Sequence, residues 1–271
     1  MPGRLYICAT PIGNLGDVSP RLAETLAAVD VVYAEDTRRS GRLLAALGIE
    51  AHLRSFFVGN ERRRAPGLED DLRRGSDIAL ITDAGMPAVS DPGALAVETA
   101  RRAGAEVVVI PGPSAVTAAV AGSGMVAGRF VFEGFLARSG RERARQLERI
   151  AAETDPSVVF LSPHRAAADL TDLAGECGPE REVCVARELT KLHEELWWGT
   201  LAGAAARWSS EARGEFTIVV AGQAPTEPDP EAAVDLARRL VAGGVAPSRA
   251  ARDAAAATGV PRRQIYEELV R

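Results

Sequence analysis

The chain has 271 residues, of which 46% are hydrophobic and 25% charged, and its formal net charge is −5. That length suits one large or two medium globular domains, each able to bury a core. The acidic balance and an aromatic content of 5% argue against a nucleic-acid-coating protein and against a platform of stacked aromatics. Cys8, Cys177 and Cys184 lack CxxC spacing, so we expect buried thiols in a cytoplasmic protein, without a metal or a membrane span.

Strand-like and helix-like segments alternate through the first half of the chain. Short apolar runs predict strands at residues 4–10, 31–36, 51–57, 77–85 and 105–112. The intervening segments predict helices at 20–29, 37–48, 61–75 and 92–104, and the fifth strand runs into the small-residue segment 113–122. Pro66 predicts a break in the third helix. Short apolar strands separated by helices predict a parallel sheet covered on both faces.

The pattern loosens into glycine and small residues at 121–128, where we place a domain boundary. A second α/β domain follows, in which "ARELTKLHEE" predicts either a β-hairpin or a short helix. The proline-rich segment 224–230 predicts a linker, and three short helices after it resemble a helix-turn-helix bundle that packs as a module or reads nucleic acid. The predicted parts are therefore a domain at 1–122, a domain at 123–223, the linker, and a three-helix module at 231–271.

Four predicted strands end in loops rich in glycine, proline, acids and small hydroxyl residues. These are "TPIGNLGD", "EDTRR", "DAGMPAVSDPG" and "PGPSAV". Parallel sheets bind ligands outside the carboxyl ends of their strands, so these loops predict a ligand cleft. Neither GxGxxG nor GK[ST] spacing is present, which disfavours a nicotinamide enzyme and a P-loop enzyme.

The ordered segments "ATPIGNLGD", "YAEDTR", "ITDAGMPAVSDPG", "PGPSA" and "GEFTIVVAG" resemble the tetrapyrrole-methylase-like class of S-adenosylmethionine-dependent methyltransferases, over about Leu5 to Gly222. The first loop departs from the GxGPGD of tetrapyrrole enzymes and, with "EDTR" and "SPHR", is similar to the branch that methylates ribosomal RNA. The resemblance implies two α/β domains of the tetrapyrrole methylase type with a cofactor cleft between them, a C-terminal helical module and a homodimer.

The same resemblance implies a reaction and a cofactor. The expected activity is S-adenosylmethionine-dependent methylation of the ribose 2'-O of a cytidine in 16S RNA, on the RNA or the 30S subunit. The alternatives are methylation of a small molecule or a modified protein residue, and a ribosome-binding factor without catalysis. The implied cofactor-binding residues are Pro11, Asp83, Ala84, Gly85, Met86, Ser114, Ala115, Leu161, Ser162, Ala186 and Thr217.

A ribose hydroxyl is a poor nucleophile, so a base at the site is expected. The candidates, with none preferred, are Asp17, Glu35, Asp36, His164 and His193. Helix capping is the alternative role for the three acids. The segment Asp91-Pro92-Gly93 predicts the start of the next helix. RNA phosphates require cations, and the candidates near loop edges are Arg38, Arg39, Arg165, Arg187 and Lys191.

Overall fold

A computed structural model of the protein describes residues 1–210, 212–224 and 229–270. The chain forms two compact units, Met1–Gln223 and Ala224–Arg271. Residues 225–228 of the predicted linker lie outside the described residues, and the predicted domain boundaries stay predictions. Within the described ranges, no helix is long and apolar enough to cross a membrane.

The first sheet is fully parallel, as predicted. Its strands are β1 (Arg4–Cys8), β2 (Val31–Ala34), β3 (Leu53–Ser55), β4 (Ile78–Ile81) and β5 (Glu106–Ile110). They lie in the order β3-β2-β4-β1-β5. All four residues of β2 and of β4 are buried, because helices cover both faces of the sheet. The order places the ends of β2, β4, β1 and β5 next to one another, which brings the four predicted loops to one edge.

The helices of the first half are α1 (Pro20–Ala28), α2 (Thr37–Ala46), α3 (Glu61–Arg73), α4 (Ala94–Arg102) and α5 (Ala115–Ser123). The predicted break at Pro66 is wrong, because α3 continues through this residue. A proline here removes one helical hydrogen bond, to the carbonyl of exposed Arg62. Buried Leu68 and Leu72 hold the helix against the sheet, so packing outweighs that single loss.

The second sheet is mixed. Its strands are β6 (Val131–Phe135), β7 (Ser157–Leu161), β8 (Glu182–Arg187), β9 (Glu195–Thr200) and β10 (Phe216–Val220), in the order β6-β7-β10-β8-β9. Only β6 and β7 pair in parallel. Strands β8 and β9 form an antiparallel hairpin around residues 188–194, which decides between the two alternatives for "ARELTKLHEE". Its helices are α6 (Gly140–Ala152), α7 (Ala166–Cys177) and α8 (Leu201–Arg207).

Helix α5 joins the two halves of the first unit. It follows β5 of the first sheet, yet its buried Val116 and Ala119 pack against Val158 and Val219 of the second sheet. At the end of α5, the Ser123 carbonyl accepts a hydrogen bond of 2.9 Å from the indole Nε1 of Trp198. The two sheets are thus held together by apolar packing from one shared helix.

All three cysteines are free and buried, as expected from the sequence. Burial raises the pKa of the Cys8 thiol to about 12 and that of Cys184 to about 11, so both stay protonated at neutral pH. The second unit contains the three predicted helices, α9 (Pro230–Ala242), α10 (Pro247–Thr258) and α11 (Arg262–Leu269). Alanines make up five of the eight buried residues of its core, so the helices pack closely.

Candidate active site

A cavity of about 300 Å³ lies between the two sheets of the first unit. Loops after β2, β4 and β5 form one wall, and residues of β6, β7, β8 and β10 form the other. A cavity of this volume matches the lower end of small-molecule sites. It lies at the carboxyl edge of a parallel sheet, where the loop composition predicts a ligand.

Three carboxylates and one arginine line the wall on the side of the first sheet: Glu35, Asp83, Asp91 and Arg39. The backbone N–H of Asp83 donates to Glu35 Oε2 at 3.3 Å, and the N–H of Asp36 donates to Asp83 Oδ1 at 3.1 Å. Arg39 Nη1 lies 3.2 Å from Asp83 Oδ2. These contacts fix the loops after β2 and β4 against each other, and Arg39 compensates one negative charge.

The loops after β1 and β4 are joined through their backbones. Thr10 N–H donates to the Gly85 carbonyl at 2.9 Å, and Gly85 N–H donates back at 3.1 Å. The buried Thr10 hydroxyl donates to the Thr82 carbonyl at 3.1 Å. Gly85 has a φ of 78°, a left-handed conformation that glycine adopts without strain. The cradle formed by residues 82–86 is therefore rigid and lined by small side chains.

The turn that follows contains two strained residues. Ala88 and Ser90 have φ values of 69° and 62°, which side chains other than glycine rarely adopt. The N–H of Ala88 donates to the Pro92 carbonyl at 3.2 Å and closes the turn. Gly93 is required behind it, because a Cβ there would lie 3.0 Å from the Ala88 nitrogen at a φ of 151°. Asp91 is thereby placed at the cavity and not in α4, which begins at Ala94.

The carboxylates differ in their electrostatic environment. Burial, together with the negative charges of Glu35 and Asp83, raises the pKa of Asp91 to about 7, although the Thr82 hydroxyl lowers it somewhat. Burial also raises the pKa of Glu35, whereas the Asp83 N–H and Arg39 lower it. Hydrogen bonds from Arg38 lower the pKa of Asp36 to about 2. Perturbed carboxylates in a cleft are typical of functional sites.

The opposite wall is largely apolar. Phe135 and Phe160 have ring centroids 5.3 Å apart, and they lie with Leu161, Ala186 and Phe216 along the cavity. Such a surface suits a flat heterocycle, while the acids across the cavity suit a positively charged group. Gly134 in β6 stands opposite the strained turn, because a Cβ on it would lie 3.0 Å from Ser90 Oγ.

Most of the residues predicted to bind the cofactor line this one cavity. They are Asp83, Ala84, Gly85, Met86, Ser114, Ala115, Leu161, Ser162, Ala186 and Thr217. Pro11 does not line it, and its neighbour Ile12 does. The loops of both halves thus meet as the sequence predicts, with a shift of one residue in the first loop.

The structure places only one of the five predicted candidate bases at the cavity. Glu35 lines the cavity. Asp17 is exposed in a short 3₁₀ turn, and Asp36 caps α2 by accepting from the Arg38 N–H at 2.8 Å. His164 lines a second, open cavity beside Trp208, and His193 is exposed. Capping is thus the observed role of Asp36.

The predicted RNA-binding cations are all paired within the chain. Arg39 contacts Asp83 at the cavity, and the 86% exposed Arg38 side chain pairs with Asp36 at 3.0 Å. The other three pair with acids of the second half, which are Asp169 for Arg165, Glu195 for Arg187, and Glu188 and Glu215 for Lys191. Arg38 is thus the most accessible of the five.

Several lining residues lie outside the sequence prediction: Ile12, Val89, Ser90, Asp91, Val116, Phe135, Phe160, Pro163, Leu189, Glu215 and Phe216. Phe135 and Phe160 lie at the ends of the adjacent parallel strands β6 and β7, so their positions at strand ends are a signal in the sequence. Asp91 carries no such signal, because Asp-Pro-Gly is also typical of a helix start.

Comparison with known proteins identifies the class. Residues 4–205 match the family model described as Tetrapyrrole (Corrin/Porphyrin) Methylases. The solved structure of the methyltransferase CobJ superimposes with a TM-score of 0.63 at 20% identity, over 84% of this chain and 98% of that one. Uroporphyrin-III-C-methyltransferase from Thermus thermophilus gives a TM-score of 0.60 at 18% identity, over 81% and 94%. The fold is therefore that of the tetrapyrrole methylases.

Curated relatives are similar over nearly the whole chain. A protein of Synechocystis sp. named Ribosomal RNA small subunit methyltransferase I is 44% identical over 98% of this chain and 96% of its own length. A relative of the same name from Thermotoga maritima is 43% identical over 82% of this chain and 99% of its own length. The chain belongs to the ribosomal RNA small subunit methyltransferase I family within the tetrapyrrole methylase class. It is an S-adenosylmethionine-dependent methyltransferase.

The cavity fits this cofactor. S-adenosylmethionine combines a flat adenine with a positively charged sulfonium and an amino acid end. The apolar wall around Phe160 and Leu161 suits the first, and the carboxylates of Glu35 and Asp83 suit the cationic groups. The small residues Ala84, Gly85 and Ala115 leave room for close backbone approach.

Proposed function

We propose that the protein methylates the 2'-hydroxyl of a cytidine ribose in 16S RNA of the small ribosomal subunit, in the cytoplasm. The observation that carries the proposal is the 44% identity, over nearly the full length, to a relative named Ribosomal RNA small subunit methyltransferase I. The cavity supports it, because its two walls suit the methyl donor.

Residues of both walls of the cavity hold the methyl donor. Bound S-adenosylmethionine supplies an electrophilic methyl group. Asp83, the cradle of Ala84, Gly85 and Met86, and Ser114 and Ala115 hold the donor on one side; Leu161, Ser162, Ala186 and Thr217 hold it on the other. Rigid loops keep the donor in one orientation, and alignment of the reacting atoms is the largest effect available to such an enzyme.

The RNA contact in this proposal begins at Arg38. Its ion pair with Asp36 is solvent-exposed, and such pairs contribute little stability, so the guanidinium is free to exchange Asp36 for a phosphate. Arg165, Arg187 and Lys191 form pairs that are more buried than that of Arg38. These three residues also belong to the proposed RNA-binding surface. Contact with RNA requires more free energy from them, because each must break a more buried ion pair with a carboxylate.

We also infer a homodimer. Phe130 and Phe135, two large apolar side chains that remain exposed at the β6 edge of the second sheet, support this inference. Light scattering coupled to size-exclusion chromatography measures the mass directly. A mass of one chain at micromolar concentration contradicts the dimer and leaves the activity proposal unaffected.

The activity is tested by transfer of a radiolabelled methyl group to small subunits from a strain that lacks the methylation. Digestion to nucleosides should place the label in 2'-O-methylcytidine. Label in a base or in protein contradicts the proposed substrate. Cofactor binding in calorimetry without any transfer favours a small-molecule methylase, and absence of binding favours a non-catalytic factor.

Asp83→Asn tests the cofactor side. The amide keeps an oxygen that accepts from the Asp36 N–H but removes the charge that faces the cavity and Arg39. Hydrogen bonds to charged groups contribute about 1.5–3 kcal/mol, so we expect the Kd for S-adenosylmethionine to rise by about 10- to 100-fold. The control is Asp70→Asn, at an exposed position of α3. Equal affinity in the two variants removes Asp83 from the cofactor site.

A further inference from the structure

Asp91 differs from the other two carboxylates of the cavity in its contacts. Asp83 accepts a backbone hydrogen bond and pairs with Arg39, and Glu35 accepts from the Asp83 N–H. Among the described residues, no cation and no backbone N–H contacts the carboxyl of Asp91. Two of the three acids are therefore committed to holding the loops together, and the third has oxygens available to a substrate.

A hydroxyl lies behind Asp91. Thr82 is 2% exposed, and its Oγ1 is buried without a hydrogen bond of normal geometry. It lies close enough to Asp91 to lower the pKa of that carboxyl. Buried polar groups are usually paired, so an orphan hydroxyl beside an acid is in position to support the charged form when the side chain moves slightly.

The strained turn places Asp91 at the cavity. Ala88 and Ser90 occupy left-handed conformations that residues other than glycine rarely adopt, and the turn is held by Gly93 and by the Ala88–Pro92 hydrogen bond. Strain of this kind persists where the surrounding structure fixes it, and it is concentrated at functional sites. The strain falls on the two residues that determine where Asp91 lies.

We propose that Asp91 is the catalytic base, which accepts the proton of the substrate hydroxyl as the methyl group is transferred. The inference rests on the proposed function. An oxygen–carbon bond forms while the carbon–sulfur bond of the donor breaks and its electron pair remains on sulfur. The hydroxyl proton moves to an oxygen of Asp91 and then to solvent. Glu35 and Asp83 keep their contacts with the loops and position them.

The electrostatics of the cavity agree with this division of roles. The pKa of Asp91 is about 7, which is where a base is most effective at neutral pH. The charged groups around the cavity are Glu35, Asp83, Arg39 and Glu215. Burial raises the pKa of Asp91 most, and the negative charge of Glu35 raises it as well.

The test is the pH dependence of kcat/KM for methyl transfer to small subunits. In the wild type, kcat/KM should rise with pH as Asp91 ionises, because burial raises the pKa of this carboxyl above that of an ordinary aspartate. Asp91→Asn should remove this rise and lower kcat by about 10²- to 10⁴-fold, with the Kd for S-adenosylmethionine changed less than threefold. The control Asp70→Asn should keep the wild-type profile. A profile that survives in Asp91→Asn overturns the proposal.

Glu35→Gln is a second, independent test, which remains decisive if Asp91→Asn does not fold. Removal of the neighbouring negative charge should shift the rise in kcat/KM to lower pH. A rise that disappears would identify Glu35 as the base, and a rise that does not move would show that neither carboxylate controls it; both overturn the proposal. A wild type that transfers no methyl group refutes the proposed function instead.

Discussion

Replacement of Asp91 by asparagine should stabilise the protein at neutral and higher pH. The folded state raises the pKa of this carboxyl from 3.8 to about 7, so keeping it ionised in the fold costs free energy. At about 1.4 kcal/mol per pH unit, the upper bound is about 4 kcal/mol. Asp91 is partly exposed, and the high effective dielectric there reduces the expected gain to about 1–2 kcal/mol.

The sign of the effect changes with pH in a defined way. Below pH 4, the carboxyl of Asp91 is protonated in both the folded and the unfolded state. Between about pH 4 and 7, the unfolded chain releases the proton while the folded chain keeps it, so this group's contribution to stability falls as pH rises. Asparagine has no such dependence. The stability difference between variant and wild type should therefore grow from pH 4 to 7 and stay constant above that.

Urea unfolding of the ligand-free protein at pH 4.5, 6 and 8.5 measures this difference. Tryptophan fluorescence and far-ultraviolet circular dichroism should be recorded together, because all three tryptophans lie in the second half of the first unit. A difference in unfolding free energy that is independent of pH would refute the reasoning, since it would assign the effect to packing. A variant less stable than the wild type at pH 8.5 would refute it more directly.

Two further predictions concern the RNA surface and the second unit. Arg38→Ala should weaken RNA binding and lower the slope of log affinity against log salt by about one, with the affinity for the cofactor unchanged. The control is Arg129→Ala, because Arg129 is about as exposed and pairs with Asp155; this variant should change neither the RNA affinity nor the cofactor affinity. A chain that ends at Gln223 should bind S-adenosylmethionine within twofold of the full chain in calorimetry, because every residue that lines the cavity lies in the first unit; loss of binding in a folded truncated protein would contradict this.

The truncation prediction has independent support in the relatives. The protein of Thermotoga maritima with the same name is matched over 222 residues, which are 99% of its own length and 82% of this chain. That is close to the length of the first unit, Met1–Gln223. A relative with this name thus matches the chain over about the length of its first unit, as expected if the cofactor site needs no second unit.

The sequence predicts the framework well because the framework depends on burial. Strands β2 and β4 are continuous apolar runs, which only a sheet covered on both faces explains, and the order of their loops along one edge follows from parallel pairing. Helix α3 shows the limit of local rules, because packing of Leu68 and Leu72 holds the helix intact through Pro66.

The site is less predictable because its ion pairs and its backbone strain depend on residues distant in the sequence and not on the local residue types. Nothing in "MPAVSDPG" shows that Ala88 and Ser90 are left-handed, since neither residue type favours that conformation. The conformation of Ala88 is fixed by its contacts with Pro92 and Gly93, and the turn that results places Asp91 at the cavity and not at a helix start. Likewise, the sequence predicts that Arg39 binds RNA phosphate, whereas in the structure Arg39 contacts Asp83 at the cavity.

The strained backbone positions of the chain lie in loops that line the cavity. Among the described residues, the non-glycine positions with positive φ are Ala88, Ser90, Glu188 and Thr190. They fall in only two loops, and each loop contributes lining residues, Asp91 from one and Leu189 from the other. Each such conformation costs about 1–2 kcal/mol, and ionised Asp91 adds to this cost. The two sheets supply the stability that the loops lack, so substitutions that relax the loops should raise stability and lower activity together.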